Sequence, residues 1–355
     1  MNVITRYIVT EVIKGALVAV LVLLSLLTFF TFADELGDMG QGDYGLKQIA
    51  HYLALGLPQG CYDLMPSAAL LGGIIVLGNL ANSRELVAMQ AAGVSRSRII
   101  GAVLLAGVVL GVISGLIGEY IAPASERASH LLKTTALKEQ TASQTRYGFW
   151  VRDGDIYINI RRVANHEELG DISIYQLDQN RGLQTASHAR SALYQGGGWR
   201  LEGIRSTRIG SDAIRSDKRK SEAWSSILAP ELLNVFVFRP ENLSGAELTR
   251  YIRYLDDNGQ DANSARIALW ERIVNPFMIL TMLLLALPFV LGVGREAGFG
   301  QRVVLGVTIG LGFYLFNRMF GHFGLIYQMH PVFAATFPTA LILAAALLSL
   351  IRTSR

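Results

Sequence analysis

Six apolar windows free of Asp, Glu, Lys and Arg divide this chain into two triplets around a polar middle. They are Gly15–Ala33, Leu64–Ser83, Ile99–Gly118, Ile273–Gly294, Val303–Asn317 and Pro331–Ile351. A hydrocarbon core about 30 Å thick is crossed by about 20 helical residues, so five of the six windows suffice alone. The fifth, Val303–Asn317, becomes a span only if Arg318 is accommodated and the run continues through Phe320 to Ile326. Backbone groups in lipid must be bonded within their own element, and windows this continuous fit helices rather than alternating barrel strands. The 355 residues are 51% hydrophobic and 17% charged, more apolar and less charged than an average soluble domain. The expected fold is a polytopic α-helical membrane protein with six transmembrane helices.

The net charge of +4 is small, and its placement says more than its size. Arg6, Lys14, Arg84, Arg96, Arg98, Arg295, Arg302, Arg352 and Arg355 flank span ends that fall on one side. The loop Asp34–Gly45 on the other side carries Asp34, Glu35, Asp38 and Asp43, with Lys47 just beyond. The positive-inside rule therefore puts both termini in the cytoplasm and the polar middle outside it. This placement accounts for the basic loops without nucleic-acid binding. A single cysteine, Cys61, excludes an internal disulfide and a multi-cysteine zinc site. The first span is too long for a signal-peptide core and is expected to be retained.

Residues 1–134 are expected to hold the first triplet, 135–242 an inserted all-β, jelly-roll-like domain, and 243–355 a connector helix and the second triplet. Tyr44–Asp63 can extend span two, with Pro58 as a kink, and Ala124–Thr141 is helix-permissive. From Tyr147 the apolar period becomes two: Phe149 and Val151; Ile156, Ile158 and Ile160; Ile172 and Ile174; Trp199 and Leu201. Asp153–Gly154, Asn180–Arg181–Gly182 and Gly196–Gly197–Gly198 supply turn chemistry between these runs. The pattern fits an antiparallel sandwich or open jelly roll, with Asn234–Phe238 as a last strand. Ser244 and Glu247 then form an S-x-x-E capping box opening a helix with Leu248, Tyr251, Ile252 and Leu255 on one face.

No nucleotide-binding G-x-x-x-x-G-K-[ST] motif occurs, and Gly292–Val293–Gly294 and Gly298–Phe299–Gly300 lie in a loop between spans. His166–Glu167–Glu168 lacks the second histidine of a zinc-protease helix. No catalytic residue, metal or cofactor is expected. The segment Asn82–Ser95 is the most specific signal. Asn82 or Ser83 can cap a short helix, Glu85 sits in its first turn where the helix dipole favours an anion, and Gly93 suits the position past its end. Leu86, Met89, Gln90 and Gly93 follow i, i+3, i+4, i+7 spacing. Such a stripe suits both an amphipathic connector on the bilayer surface and a helix seated in a partner's groove.

The phrase Ser83–Arg84–Glu85–Leu86–Val87–Ala88–Met89–Gln90–Ala91–Ala92–Gly93–Val94–Ser95 resembles the coupling-helix signature of the LptF/LptG permease family of lipopolysaccharide export. Gly118–Glu119–Tyr120–Ile121–Ala122–Pro123 is similar to that family's turn out of span three. Leu243–Ser244–Gly245, Tyr251–Ile252–Arg253–Tyr254–Leu255 and Gly259–Gln260–Asp261 resemble its LptG branch over its LptF branch. The resemblance extends across the whole chain.

What it implies is a half-transporter of the Gram-negative inner membrane, with the β domain in the periplasm. Its expected partners are an LptF-type permease, an LptB-type ATPase dimer, LptC and a periplasmic LptA-type bridge. Lipopolysaccharide would enter between spans one and five of the two permeases. By residue match, Arg84, Glu85, Leu86, Met89 and Gly93 are the ATPase-coupling positions. Phe29, Phe32, Arg318, Phe320 and Lys47 are candidates for the substrate cavity. Glu271 and Arg272 could pair with each other or with a neighbour at the mouth of span four. Where some relatives carry lysines at the outer end of span one, Thr31–Asp38 is acidic, which leaves phosphate contacts there in doubt. Three rival readings stand beside this one: the LptF-type paralogue, a membrane-anchored envelope scaffold that moves nothing, and a permease for lipoproteins or toxins. The three-plus-three layout counts against the last.

Overall fold

A computed structural model describes residues 3–137, 148–165, 168–178, 182–195, 198–210, 213–224, 239–291 and 298–354. Its helices are α1 (Val3–Glu35), α2 (Leu46–Asn82), α3 (Glu85–Ala91), α4 (Arg96–Leu116), α5 (Ala122–Ala136), α6 (Gly245–Asp257), α7 (Asn263–Leu291), α8 (Phe299–Ile326) and α9 (Pro331–Ser354). A π-helical turn, Ile117–Ile121, joins α4 to α5. Among the described residues, six helices are long and apolar enough to cross a membrane: Val3–Asp38, Leu46–Asn82, Arg96–Ala136, Asn263–Val290, Gly300–Ile326 and Pro331–Arg352. The short fifth window does continue past Arg318 to Ile326, and α2 runs unbroken through Pro58 and Pro66.

The chain forms two compact units. The first comprises Met1–Gly37, Leu53–Glu126 and Asn263–Arg355. Its core is aliphatic, with Met65, Leu70, Ile74 and Leu77 of α2 and Ile279, Met282, Leu283 and Leu287 of α7 almost fully buried. Aliphatic surface between helices in lipid gives no hydrophobic drive, so close backbone approach at small residues carries the packing. At the α1–α2 crossing, a Cβ on Gly72 would collide with the backbone of Gly15 and Ala16. On α4, Gly107 faces Leu280 and Leu283, and Gly111 faces Pro276. The α2–α8 seam passes Gly306 against Leu71, then Gly310 against Ser67.

The second unit comprises Asp38–Tyr52 and Arg127–Ala262. Its strands β1 (Phe149–Asp153), β2 (Ile156–Asn165), β3 (Glu168–Leu177), β4 (Leu183–Tyr194), β5 (Trp199–Ile209) and β6 (Ile214–Trp224) form one antiparallel sheet in chain order. Of the sandwich or open jelly roll anticipated, the described residues thus supply one six-stranded layer. Alternation places Val151, Ile158, Ile160, Leu169, Ile172, Trp199 and Leu201 inside, and cross-strand pairs such as Ile158 with Ile174 and Ile160 with Ile172 hold the register. The anticipated strand Asn234–Phe238, turn residues Asn180, Arg181, Gly196 and Gly197, and loop residues His166, Glu167, Gly292–Gly294 and Arg295 lie outside the described residues.

Helix α6 opens on the anticipated capping box. The Ser244 hydroxyl accepts from the Glu247 amide at 3.3 Å, and the Ser244 amide donates to Glu247 Oε2 at 2.9 Å. Arg127 reaches Glu247 Oε1 at 2.5 Å. Burial pushes the Glu247 carboxyl up. The Ser244 bonds and the Arg127 guanidinium outweigh that and hold it below its ordinary value. Leu248, Tyr254 and Leu255 are buried, and the Tyr254 hydroxyl donates to the Arg152 carbonyl at 2.7 Å. Burial pushes the Tyr254 phenol up to about 12, against the opposing pull of that hydrogen bond.

Candidate functional site

Helix α2 ends at Asn82, and the chain reverses through Ser83 and Arg84 before α3 begins. Arg84 is the N-cap residue and adopts the left-handed conformation at φ 59°. Neither Asn82 nor Ser83 caps α3, contrary to expectation. The Ser83 hydroxyl is drawn back to the Asn79 carbonyl at 2.9 Å and lies 3.0 Å from Glu85 Oε1. Asn82 Oδ1 instead accepts from Arg302 Nη2 at 2.8 Å. Glu85 occupies the first turn as anticipated, and its Oε2 accepts from the Tyr7 hydroxyl at 2.9 Å.

The far end of α3 closes as a Schellman motif. The Val94 amide bonds the Met89 carbonyl and the Gly93 amide bonds the Gln90 carbonyl, each at 3.0 Å. Gly93 adopts φ +87° there, which only glycine takes without cost. A seven-residue helix is too short to hold its own shape in water. The Schellman closure at its C-terminal end and the packing of Leu86 and Met89 on the spans give this one a defined shape.

The stripe expected to face a partner divides in the structure. Leu86 is 4% exposed and Met89 packs against the core of the first unit. Arg84, Val87, Ala88, Ala91, Ala92 and Gly93 are exposed, and Glu85 lies between the two sets. The helix is fastened by its larger apolar side chains and presents a shallow face of small side chains with an acid at its edge.

The spans are unequally covered. In the most apolar 18-residue windows, 72% of residues are buried in the spans formed by α2 and by α7, but only 17% in those formed by α1 and by α8. On α1 the buried apolar residues Ile8, Val9, Val12, Ala16, Ala19 and Val20 end near the middle of the helix, and past them only Glu35, its last residue, is buried. Beyond them Leu21, Val22, Leu26, Phe29 and Phe30 are exposed. On α8 the same holds for Val304, Leu311, Leu315, Met319 and Ile326.

Of the anticipated cavity residues, Phe29 is 63% exposed on α1, and Phe32 half-buried. Phe320 packs into an aromatic cluster, stacked on Phe337 at 4.8 Å between centroids and near Phe316 and Phe333. Arg318 Nη2 lies 3.4 Å from Asp63 Oδ2, so its charge is met within the chain. Lys47 is exposed but belongs to the second unit. Arg272 does not turn to Glu271. It donates to the Gly118 carbonyl in the π-helical turn and lies 3.8 Å from Glu119. Tyr7 and Arg302 had no local sequence signal for these contacts, because their partners are 78 and 220 residues away. Among the described residues, no cluster of His, Cys, Asp or Glu could hold a metal.

Comparison with known proteins bears on the whole chain. Residues 6–352 match the family described as lipopolysaccharide export system permease LptF/LptG. The lipopolysaccharide export system permease protein LptG of Escherichia coli K12 is 33% identical over 356 residues, 99% of each chain. Its Haemophilus influenzae counterpart is 33% identical over 342 residues, 96% of each. LptF of Escherichia coli K12 matches over only 125 residues, at 26% identity, covering 35% of this chain and 34% of LptF. With a family match running from the first span to the last and relatives of full length, this chain belongs to the LptF/LptG family of lipopolysaccharide export permeases.

Proposed function

We propose that this chain is the LptG-type half of a membrane transporter that moves lipopolysaccharide, driven by a separate ATPase acting on α3. The observation that carries this reading is the α2–α3–α4 connection: a short helix, closed at its C-terminal end and fastened by Leu86 and Met89, with small side chains exposed and one acid at the edge of that face. The full-length likeness to LptG proteins, against a partial one to LptF, favours that branch. The sequence has no phosphate-binding loop, so ATP hydrolysis falls to a partner.

In this reading both termini and α3 are cytoplasmic, and the sheet is periplasmic, where it hands cargo to LptC and an LptA-type bridge. An LptB-type ATPase dimer seats one α3 from this chain and one equivalent helix from an LptF-type partner. The contact face is Arg84, Glu85, Val87, Ala88 and Gly93, with Leu86 and Met89 holding the helix to its own spans. The Glu85 carboxylate can accept an arginine in addition to its intrachain donors, since each oxygen has two lone pairs. Cargo enters where α1 and α8 leave apolar surface uncovered, with Phe29 and Phe32 against acyl chains. Arg318, already opposite Asp63, orders the mouth of that opening.

The test is purification in mild detergent with identification of co-purifying subunits, then ATP-driven release of lipopolysaccharide from proteoliposomes. The expected result is an ATPase dimer, one paralogous permease and bound lipopolysaccharide, with release abolished by Glu85→Lys. Release at the normal rate by that variant would remove the role given to α3. Recovery of the chain alone, without ATPase, would favour the scaffold reading.

A further inference from the structure

The two helices that leave most apolar surface uncovered are also the two hydrogen-bonded to the α2–α3 junction. Tyr7, near the start of α1, donates to Glu85 Oε2 at 2.9 Å. Arg302, in the first turn of α8, donates to Asn82 Oδ1 at 2.8 Å. Asn82 is the last residue of α2 and Glu85 the first of α3, so the bonds land on either side of the left-handed Arg84. Side chains from distant parts of the sequence thus converge on one turn.

The Arg302 placement is built at a cost. The residue is 3% exposed, and its Nε and Nη1 have no partner among the described residues. A buried guanidinium with unmet donors destabilises a fold unless its position serves something else. Room for it exists because residue 78 is glycine. A Cβ there would lie 2.5 Å from Arg302 Nη1 and 2.8 Å from its Cδ. Tyr7 makes a neutral donor's bond to a carboxylate, a stronger contact than one between neutral groups.

We propose that Tyr7 and Arg302 are positioning residues that tie the α2–α3 junction to α1 and α8, so that a push on α3 moves both lateral helices together. The inference rests on the reading of α3 as the helix an ATPase displaces. On α1 the consequence is leverage. Gly15 meets Gly72 with no room for a Cβ, which makes this crossing a pivot. Tyr7 lies eight residues to one side of Gly15 and Phe29 fourteen to the other (15 − 7 and 29 − 15). At the rise of an α-helix these arms are about 12 Å and about 21 Å. A rigid α1 would swing its uncovered half the opposite way and about 1.75 times as far. On α8, the pull at Arg302 travels along the glycine-lined seam with α2.

The experiment uses the complex of this chain with its paralogous permease and ATPase in proteoliposomes. ATP hydrolysed and lipopolysaccharide released are measured in the same sample. Tyr7→Phe removes only a hydroxyl, Asn82→Ala removes the acceptor of Arg302, and Gly78→Ala displaces the guanidinium. Glu85→Ala is the control for the reading beneath. The expected result is continued ATP hydrolysis with lipopolysaccharide released per ATP down about 2- to 10-fold, the span one hydrogen bond commands. In a Glu85→Gln background, Tyr7→Phe should lower that ratio by less than it does alone, because the charge-assisted bond is already gone. If Glu85→Ala abolishes release while Tyr7→Phe and Asn82→Ala keep the normal ratio, this inference alone is overturned. If hydrolysis and release fall together at constant ratio, the residues are merely structural and it is overturned too. If Glu85→Ala itself releases normally, the underlying reading of α3 fails instead. Should Gly78→Ala fail to assemble, the other two variants still decide.

Discussion

Ser67 on α2 donates its hydroxyl hydrogen to the Gly310 carbonyl on α8 at 3.1 Å, midway along a seam with a charged pair at one end and Arg302 at the other. Between them Gly306 and Gly310, four residues apart on one face of α8, let the two backbones close. This seam holds α8 to α2, and Phe320 packs it against α9, while much of its surface stays uncovered.

The seam should depend on the glycines more than on the hydroxyl. A Cβ on Gly306 would lie 2.7 Å from Leu71 Cδ1. Gly306→Val is expected to cost about 1–3 kcal/mol through overpacking. Ser67→Ala should cost only about 0.6 kcal/mol, as interhelical hydrogen bonds in membranes typically do. Thermal denaturation of the detergent-solubilised protein compares the two, and an equal loss would contradict the ordering.

Opposite faces of α3 should fail differently. Leu86→Ala empties a buried site and is expected to cost about 2–5 kcal/mol, lowering Tm. Val87→Glu, on the 48% exposed face, should leave Tm unchanged and reduce co-purification of the ATPase. Normal ATPase recovery with Val87→Glu would mean that this face is not the contact.

Asp63 and Arg318 give a third test. A partly exposed pair of this kind contributes about 0.5 kcal/mol. Arg318→Ala should therefore be only mildly destabilising, and Asp63→Asn in the same chain should return part of the loss. A double variant less stable than the sum of the single changes would show that the two do not interact favourably.

Glu247 should make α6 acid-sensitive. Its folded carboxyl titrates below the ordinary value of 4.5, so the stabilisation is complete above that value and lost as pH falls through the lower, folded one. Acid unfolding followed by circular dichroism should shift to higher pH in Arg127→Ala, which removes one of the causes. Ser244→Ala should lower stability by about 1 kcal/mol at neutral pH as well.

What could be read beforehand was whatever a local pattern carries. The apolar windows located all six long helices, and Ser244–Glu247 located the start of α6 to the residue. Glu85 and Gly93 marked the two ends of α3. The missed strands β4 and β6 show the limit. Leu183–Tyr194 and Ile214–Trp224 are polar, β6 being almost wholly exposed. They are strands because neighbours offer a ladder of backbone groups, a cause that no period-two alternation announces. The cap of α3 went to Arg84 instead of Asn82 or Ser83 for a similar reason: both side chains had partners elsewhere. Arg318 looked like an available cation until folding set Asp63 against it, 255 residues away in sequence.

By itself, the sequence determined how many helices could cross a bilayer, where the β insert lies and which short segment stands between spans two and three. These depend on composition and spacing within a few tens of residues, where the solvent preference of each side chain acts directly. Only the tertiary structure decided which spans are covered, which face of α3 points outward, and that Tyr7 and Arg302 meet the same turn. Those depend on groups far apart in the chain, and on the absence of a side chain at Gly72 and Gly78 as much as on any residue present. The layout of the machine is written locally; its linkage exists only once the helices have packed.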